Sequence, residues 1–167
     1  MGAVGKHQAA LGTAAALLGC LGLILPPRER MKRLPQSIRS LPRSLDATPV
    51  LGTILSTPGY SLGWFYGANA YDEMVHLVNG CLVGAVLIAL LRSKCLPPSR
   101  RDIVLTICLW TALIGCGWEL FEWATGLIGN WTDTWTDVAL TALGGTLAGA
   151  LANVSKGHPS GGPPTFP

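Results

Sequence analysis

A carboxylate and an imidazole four residues apart, Asp72 and His76, open the stretch YDEMVHLVNG, residues 71–80, and Asn79 follows three residues later. On a helix these three side chains share one face. The pattern returns twice downstream, as Glu119 with Glu122, three apart, and as Asp133 with Asp137, four apart. Carboxylate oxygens with one imidazole nitrogen form a ligand set that suits Mn, Mg, Ca or Zn without choosing among them. The same groups also suit a proton or cation pathway, or a general base acting on a lipid or cell-wall precursor headgroup.

The elements that must position these residues are membrane helices. Hydrophobic residues make up 49% of the 167 and charged residues only 13%, and the mean hydropathy is +0.41; a soluble globule is usually about 25% charged. Residues 71–91, 103–124 and 134–154 are each apolar beyond their ends and long enough to cross a hydrocarbon layer of about 30 Å. An earlier run, QAALGTAAALLGCLGLIL at 8–25, also has that length. It lacks a strong basic lead and a small-x-small cleavage site, which favours a retained helix over a signal peptide. The stretch 48–70 is apolar but carries Pro58, several glycines and hydroxyls, and reads as a weak, kinked or partly re-entrant crossing. The expected fold class is therefore all-α: a polytopic membrane helix bundle of about five transmembrane helices. Its expected parts are an N-terminal helix at 1–25, a basic cytoplasmic loop at 26–47, a four-helix membrane domain at 48–154 and a disordered tail at 155–167 rich in Gly, Pro and Ser.

Charge placement sets the orientation. If all five segments cross, residues 26–47, 92–101 and 155–167 share one side and hold every one of the 12 basic residues except Lys6. That side is cytoplasmic by the positive-inside rule, which leaves the N-terminus outside and the C-terminus inside a cell membrane. Six of the nine acidic residues, Asp72, Glu73, Glu119, Glu122, Asp133 and Asp137, map to the outer ends of the last three helices. His76, Glu119 and Asp137 each fall about one turn, roughly 5 Å, inside the boundary, and ionisable groups at that depth face a bundle interior and need partners. Close together, five carboxylates and one imidazole require protons or a neutralising cation.

A plainer reading holds that these are ordinary interfacial helix ends. Asp72, Asp133 and Asp137 would sit at positive helix N-termini, and Trp118, Trp123, Trp131 and Trp135 would form an aromatic belt. Glu119 and Glu122 fit it poorly, since they lie towards a helix C-terminus. Gly80 with Gly84, and Gly145 with Gly149, provide small-residue faces for close helix approach. The basic loop suits a juxtamembrane position and could engage anionic lipids. The five cysteines form no CxxC pair and suggest neither a zinc knuckle nor a disulfide framework, and no basic patch interleaved with aromatics points to nucleic acid. Neither a phosphate loop, a nucleophile elbow nor HExxH is present.

With D-x-x-x-H at 72–76, E-x-x-E-W at 119–123 and D-T-x-x-D at 133–137, the chain resembles a family of uncharacterised bacterial inner-membrane proteins related in pattern to the VanZ-like proteins. The resemblance spans roughly residues 60–152. It implies a small all-helical integral membrane protein, with Asp72, His76, Glu119, Glu122, Asp133 and Asp137 as family-motif positions, and it suggests a link to cell-envelope glycopeptide or lipid chemistry without transferring an activity. Two function classes stay open: a membrane binding or transport module, with a divalent metal ion as the candidate cofactor, and a metal- or carboxylate-dependent enzyme acting on envelope precursors. Oligomeric state is not readable from the sequence.

Overall fold

The computed structural model describes Ala14, Leu18 and residues 27–66, 69–93, 100–126 and 131–154. Ala14 and Leu18 are helical, but the rest of the expected first crossing, the expected tail at 155–167 and residues 94–99 of the second basic loop lie outside the described residues. Among the described residues every regular element is helical. The principal helices are α1 (Ala47–Ser61), α2 (Tyr71–Ser93), α3 (Arg100–Thr125) and α4 (Trp131–Val154). Two stretches, Tyr71–Ser93 and Asp102–Thr125, are long and apolar enough to cross a membrane by length and composition.

The third and fourth helices carry one buried stripe each, repeating at about one turn. Along α3 it runs through Ile103, Ile107, Thr111 and Glu119. On α4 it takes in Thr134, Asp137, Thr141, Gly144, Gly145 and Gly149. The opposite face of α3 leaves Leu105, Leu109, Leu113 and Leu120 exposed, the inversion expected of a helix whose outer solvent is hydrocarbon. At the end away from the carboxylates, Ile88, Ile103 and Ile107 pack with Leu87, Leu91, Ala148 and Ala152.

Packing is most extensive between α2 and α4, then between α3 and α4, with α1 resting on α2. The α2–α4 seam depends on missing side chains. A Cβ on Gly80 would run into the Thr141 carbonyl, and one on Gly144 into the Leu77 carbonyl, so the two backbones touch as small-residue crossings allow.

The segment read as a weak second crossing is shorter than expected. Its helix is the 15-residue α1, with Pro58 inside it, followed by a 3₁₀ turn at Trp64–Tyr66. At about 1.5 Å per residue α1 covers about 22 Å, less than a full hydrocarbon layer. Rings close the corner into α2: Tyr60 meets Phe65 edge-on at 4.7 Å, Trp64 meets Tyr71 at 4.9 Å, and the Tyr71 hydroxyl donates to the Leu55 carbonyl at 2.5 Å. The Asn69 side chain then accepts from the Tyr71 N–H at 2.9 Å, satisfying a free donor at the start of α2.

The basic connector, expected as a loop broken by prolines, has its own folded form. A 3₁₀ turn at Arg28–Arg30, a helical turn at Gln36–Arg39 and a 3₁₀ turn at Arg43–Asp46 follow Pro27, Pro35 and Pro42 in turn. Each proline thus stands just before a helical turn, where its fixed φ and missing N–H cost little.

Candidate functional site

The buried stripes turn polar at the end of the bundle formed by the start of α2, the end of α3 and the start of α4. Asp72 and His76 lie in the first two turns of α2, and Asp137 lies two turns into α4. One ligand atom from each of Asp72, His76 and Asp137 comes within 4.8 Å of the other two. His76 Nε2 is 3.5 Å from Asp72 Oδ1 and 3.8 Å from Asp137 Oδ2. Both distances exceed the roughly 2.9 Å of a good N–H···O hydrogen bond, so His76 Nε2 makes long contacts to both carboxylates rather than a tight bond to one.

Orientation comes from the other face of the ring. His76 Nδ1 lies 3.4 Å from Thr141 Oγ1, which turns Nε2 towards the carboxylates, as a partner behind a ligating histidine does. The Asp137 side chain is 5% exposed, and its Oδ1 is buried without a hydrogen-bond partner. Among the described residues no lysine or arginine pairs with Asp72 or Asp137. A buried carboxylate oxygen left in that condition costs free energy unless a proton or a cation meets it.

Of the other expected site residues, Glu119 continues the buried stripe of α3 at 5% exposure. Its Oε1 is buried without a hydrogen-bond partner. Glu122 faces a different set: its Oε1 accepts from the Tyr60 hydroxyl at 3.0 Å and from the Trp118 indole N–H at 2.9 Å. Glu119, Glu122 and Asp133 therefore stand around the Asp72–His76–Asp137 group without joining it. Asn79 shares the expected face of α2 and lines the same cavity as Asp72 and His76.

That cavity, about 280 Å³, is enclosed chiefly by α1, α2 and α3. Asp72, His76 and Asn79 of α2 and Glu122 of α3 contribute polar groups to it, and Tyr60, Phe65, Trp118 and Phe121 supply aromatic walls. Sequence reasoning missed Tyr60, which is 62 residues from Glu122 and bears no motif. Thr141 is 65 residues from His76, and spacing to a distant histidine carries no local signal.

Among the described residues the chain is all-helical, with exposed aliphatic faces, two helices long and apolar enough to cross a membrane and a polar cluster held between helix ends, the make-up of a membrane protein that sits in a lipid bilayer. The chain belongs to the family described as "Predicted membrane protein (DUF2238)", whose sequence profile matches residues 6–157. No curated protein and no solved structure matches the chain.

Proposed function

We propose that this protein binds a divalent cation at Asp72, His76 and Asp137, close to the outer face of a bacterial inner membrane. The observation that carries the reading is the convergence of those three ligand atoms from α2 and α4, together with an Asp137 oxygen, Oδ1, that is buried without a hydrogen-bond partner. Two oxygens and one nitrogen suit Mn, Ca or Zn. The separations of 3.5 and 3.8 Å from His76 Nε2 are close to those of adjacent ligands on a single ion held at about 2.0–2.4 Å from each. Glu119, Glu122 and Asp133 belong to the surrounding acidic shell.

The wider reading takes in about five crossings, with the N-terminus outside and the C-terminus cytoplasmic. It includes the four-helix membrane domain at 48–154, a helix at 1–25, a basic loop at 26–47 able to meet anionic lipids, and a tail at 155–167. The three ordered motifs support kinship with VanZ-like proteins and a role in the cell envelope. A second reading, a metal-dependent enzyme acting on envelope precursors, is favoured by one observation: Asp72 and His76 line the cavity. With three protein ligands, a metal there keeps an open position for water or substrate, as catalytic sites do.

Elemental analysis tests the cation. Purified protein loaded with Mn, Ca or Zn and then desalted is expected to retain about one ion per chain, and His76→Ala and Asp137→Asn are expected to lose it. Failure of the parent to retain any of the three ions would sink the reading.

A further inference from the structure

The geometry points to a second ligand chemistry in the same cavity: an ammonium group, held by Glu122 and the aromatic rings around it. This goes beyond the metal reading and does not depend on it, because Glu122 lies outside the Asp72–His76–Asp137 group.

Glu122 is a carboxylate fixed in place. Its Oε1 accepts two hydrogen bonds, from the Tyr60 hydroxyl on α1 and from the Trp118 indole one turn back on α3. Two donors on one oxygen orient the carboxyl group, and Oε2 makes neither of those bonds. Around it the cavity wall is aromatic: Tyr60 and Phe65 meet edge-on at 4.7 Å, and Trp118 and Phe121 are tilted at 5.4 Å. A carboxylate beside aromatic rings is the recognition pattern for ammonium ions, which gain from both the charge and the ring quadrupoles. Among the described residues no lysine or arginine lines the space, so an anionic group would meet no cationic side chain there apart from the His76 imidazole when protonated.

Size and level narrow the occupant. At about 280 Å³ the space lies at the small end of ligand pockets, a scale that suits a headgroup or a small amine. Glu122 lies in the last turn of α3, and Asp72 in the first of α2. The charged part of the cavity is thus at helix ends, the depth of a bilayer's headgroups. An aminated lipid headgroup and a free small amine share this chemistry.

The test is a ligand-observed NMR titration of protein in an amine-free glycoside detergent, comparing ethanolamine with ethylene glycol, its uncharged counterpart. Ethanolamine is expected to bind, and ethylene glycol at least about tenfold more weakly, the scale of one charged hydrogen bond. Glu122→Gln keeps an acceptor for Tyr60 and Trp118 while removing the charge, and is expected to weaken ethanolamine by a similar factor. Competition by phosphatidylethanolamine but not phosphatidylglycerol assigns the ammonium to a lipid headgroup; competition by neither assigns it to a free amine. Equal binding of ethanolamine and ethylene glycol, no binding of ethanolamine, or an unchanged affinity in a folded Glu122→Gln would overturn the proposal. Should that variant not fold, the comparison of ethanolamine with ethylene glycol in the parent decides. Repeating the titration after chelation and after Mn loading separates the two readings, since ammonium binding is expected in both states whatever the metal content.

Discussion

Arg28 shows what a single side chain does for the basic connector. Its guanidinium donates to the carbonyls of Ile38, Leu41 and Pro42 at 3.1, 3.3 and 3.1 Å and meets Asp46 Oδ1 at 2.9 Å. Both partners of that ion pair are largely buried, with side chains 16% and 19% exposed. One planar fork thus gathers the three short turns between residues 28 and 46, a task for which a lysine's single ammonium is not shaped. Arg28→Lys keeps the charge and is expected to loosen the segment. Limited proteolysis with trypsin should then cut at Arg30, Lys32, Arg33 or Arg43 several-fold faster than in the parent, and equal cleavage rates would refute the role. At this scale the sequence is legible where spacing is local. Asp72, His76 and Asn79 could be placed on one face because a helix brings i, i+4 and i+7 together. The Arg28 network and the Tyr60–Glu122 bond could not, since each joins residues whose meeting depends on how separate elements pack.

Among the helices, the seam between α2 and α4 decides whether the candidate site exists at all, because Asp72 and His76 come from one and Asp137 from the other. Gly144 sits against the Leu77 carbonyl and Gly80 against the Thr141 carbonyl, each without room for a Cβ. Thr141 is also the residue facing His76 Nδ1, so the close approach and the histidine's orientation share one contact. Gly144→Leu is expected to force the helices apart, at a cost of at least about 1–3 kcal/mol by analogy with overpacked cores. Both the unfolding midpoint in detergent and retained metal should fall, whereas Gly117→Ala, at a position with nothing near its Cβ, should leave both close to the parent's. The small-residue stripes were visible in the sequence as repeated glycines, but their pairing was not, since many glycine-spaced faces in membrane segments never meet. Residues 48–70 mark another limit. Apolar composition announced a membrane-facing element, yet the helix ends at Ser61, and the following aromatics close a corner instead of continuing a span.

For the whole molecule, the open quantity is which side of the bilayer receives the site, and charge asymmetry carries the argument. The family match makes the chain a membrane protein over residues 6–157; the sidedness rests on where its basic residues fall. Arg28, Arg30, Lys32, Arg33, Arg39 and Arg43 precede α1, and Arg92, Lys94, Arg100 and Arg101 lie between or within the facing ends of α2 and α3. These two groups share a side only if residues 47–70 return the chain across the membrane or if α1 and the corner after it together span it. A 15-residue helix makes that crossing short, and neighbouring aromatics and local thinning of the bilayer are the usual means of accommodating a short span. The Asp72–His76–Asp137 group lies at the starts of α2 and α4, away from these basic residues. Reporter fusions after residues 45, 96 and 160 are therefore expected to read cytoplasmic and one near residue 129 external, which would open the cavity towards the outer leaflet. An external reading at 96 would invert the protein. A cytoplasmic reading at 96 joined with an external one at 45 would show that residues 47–70 do not cross, and would move the basic connector away from the anionic cytoplasmic leaflet.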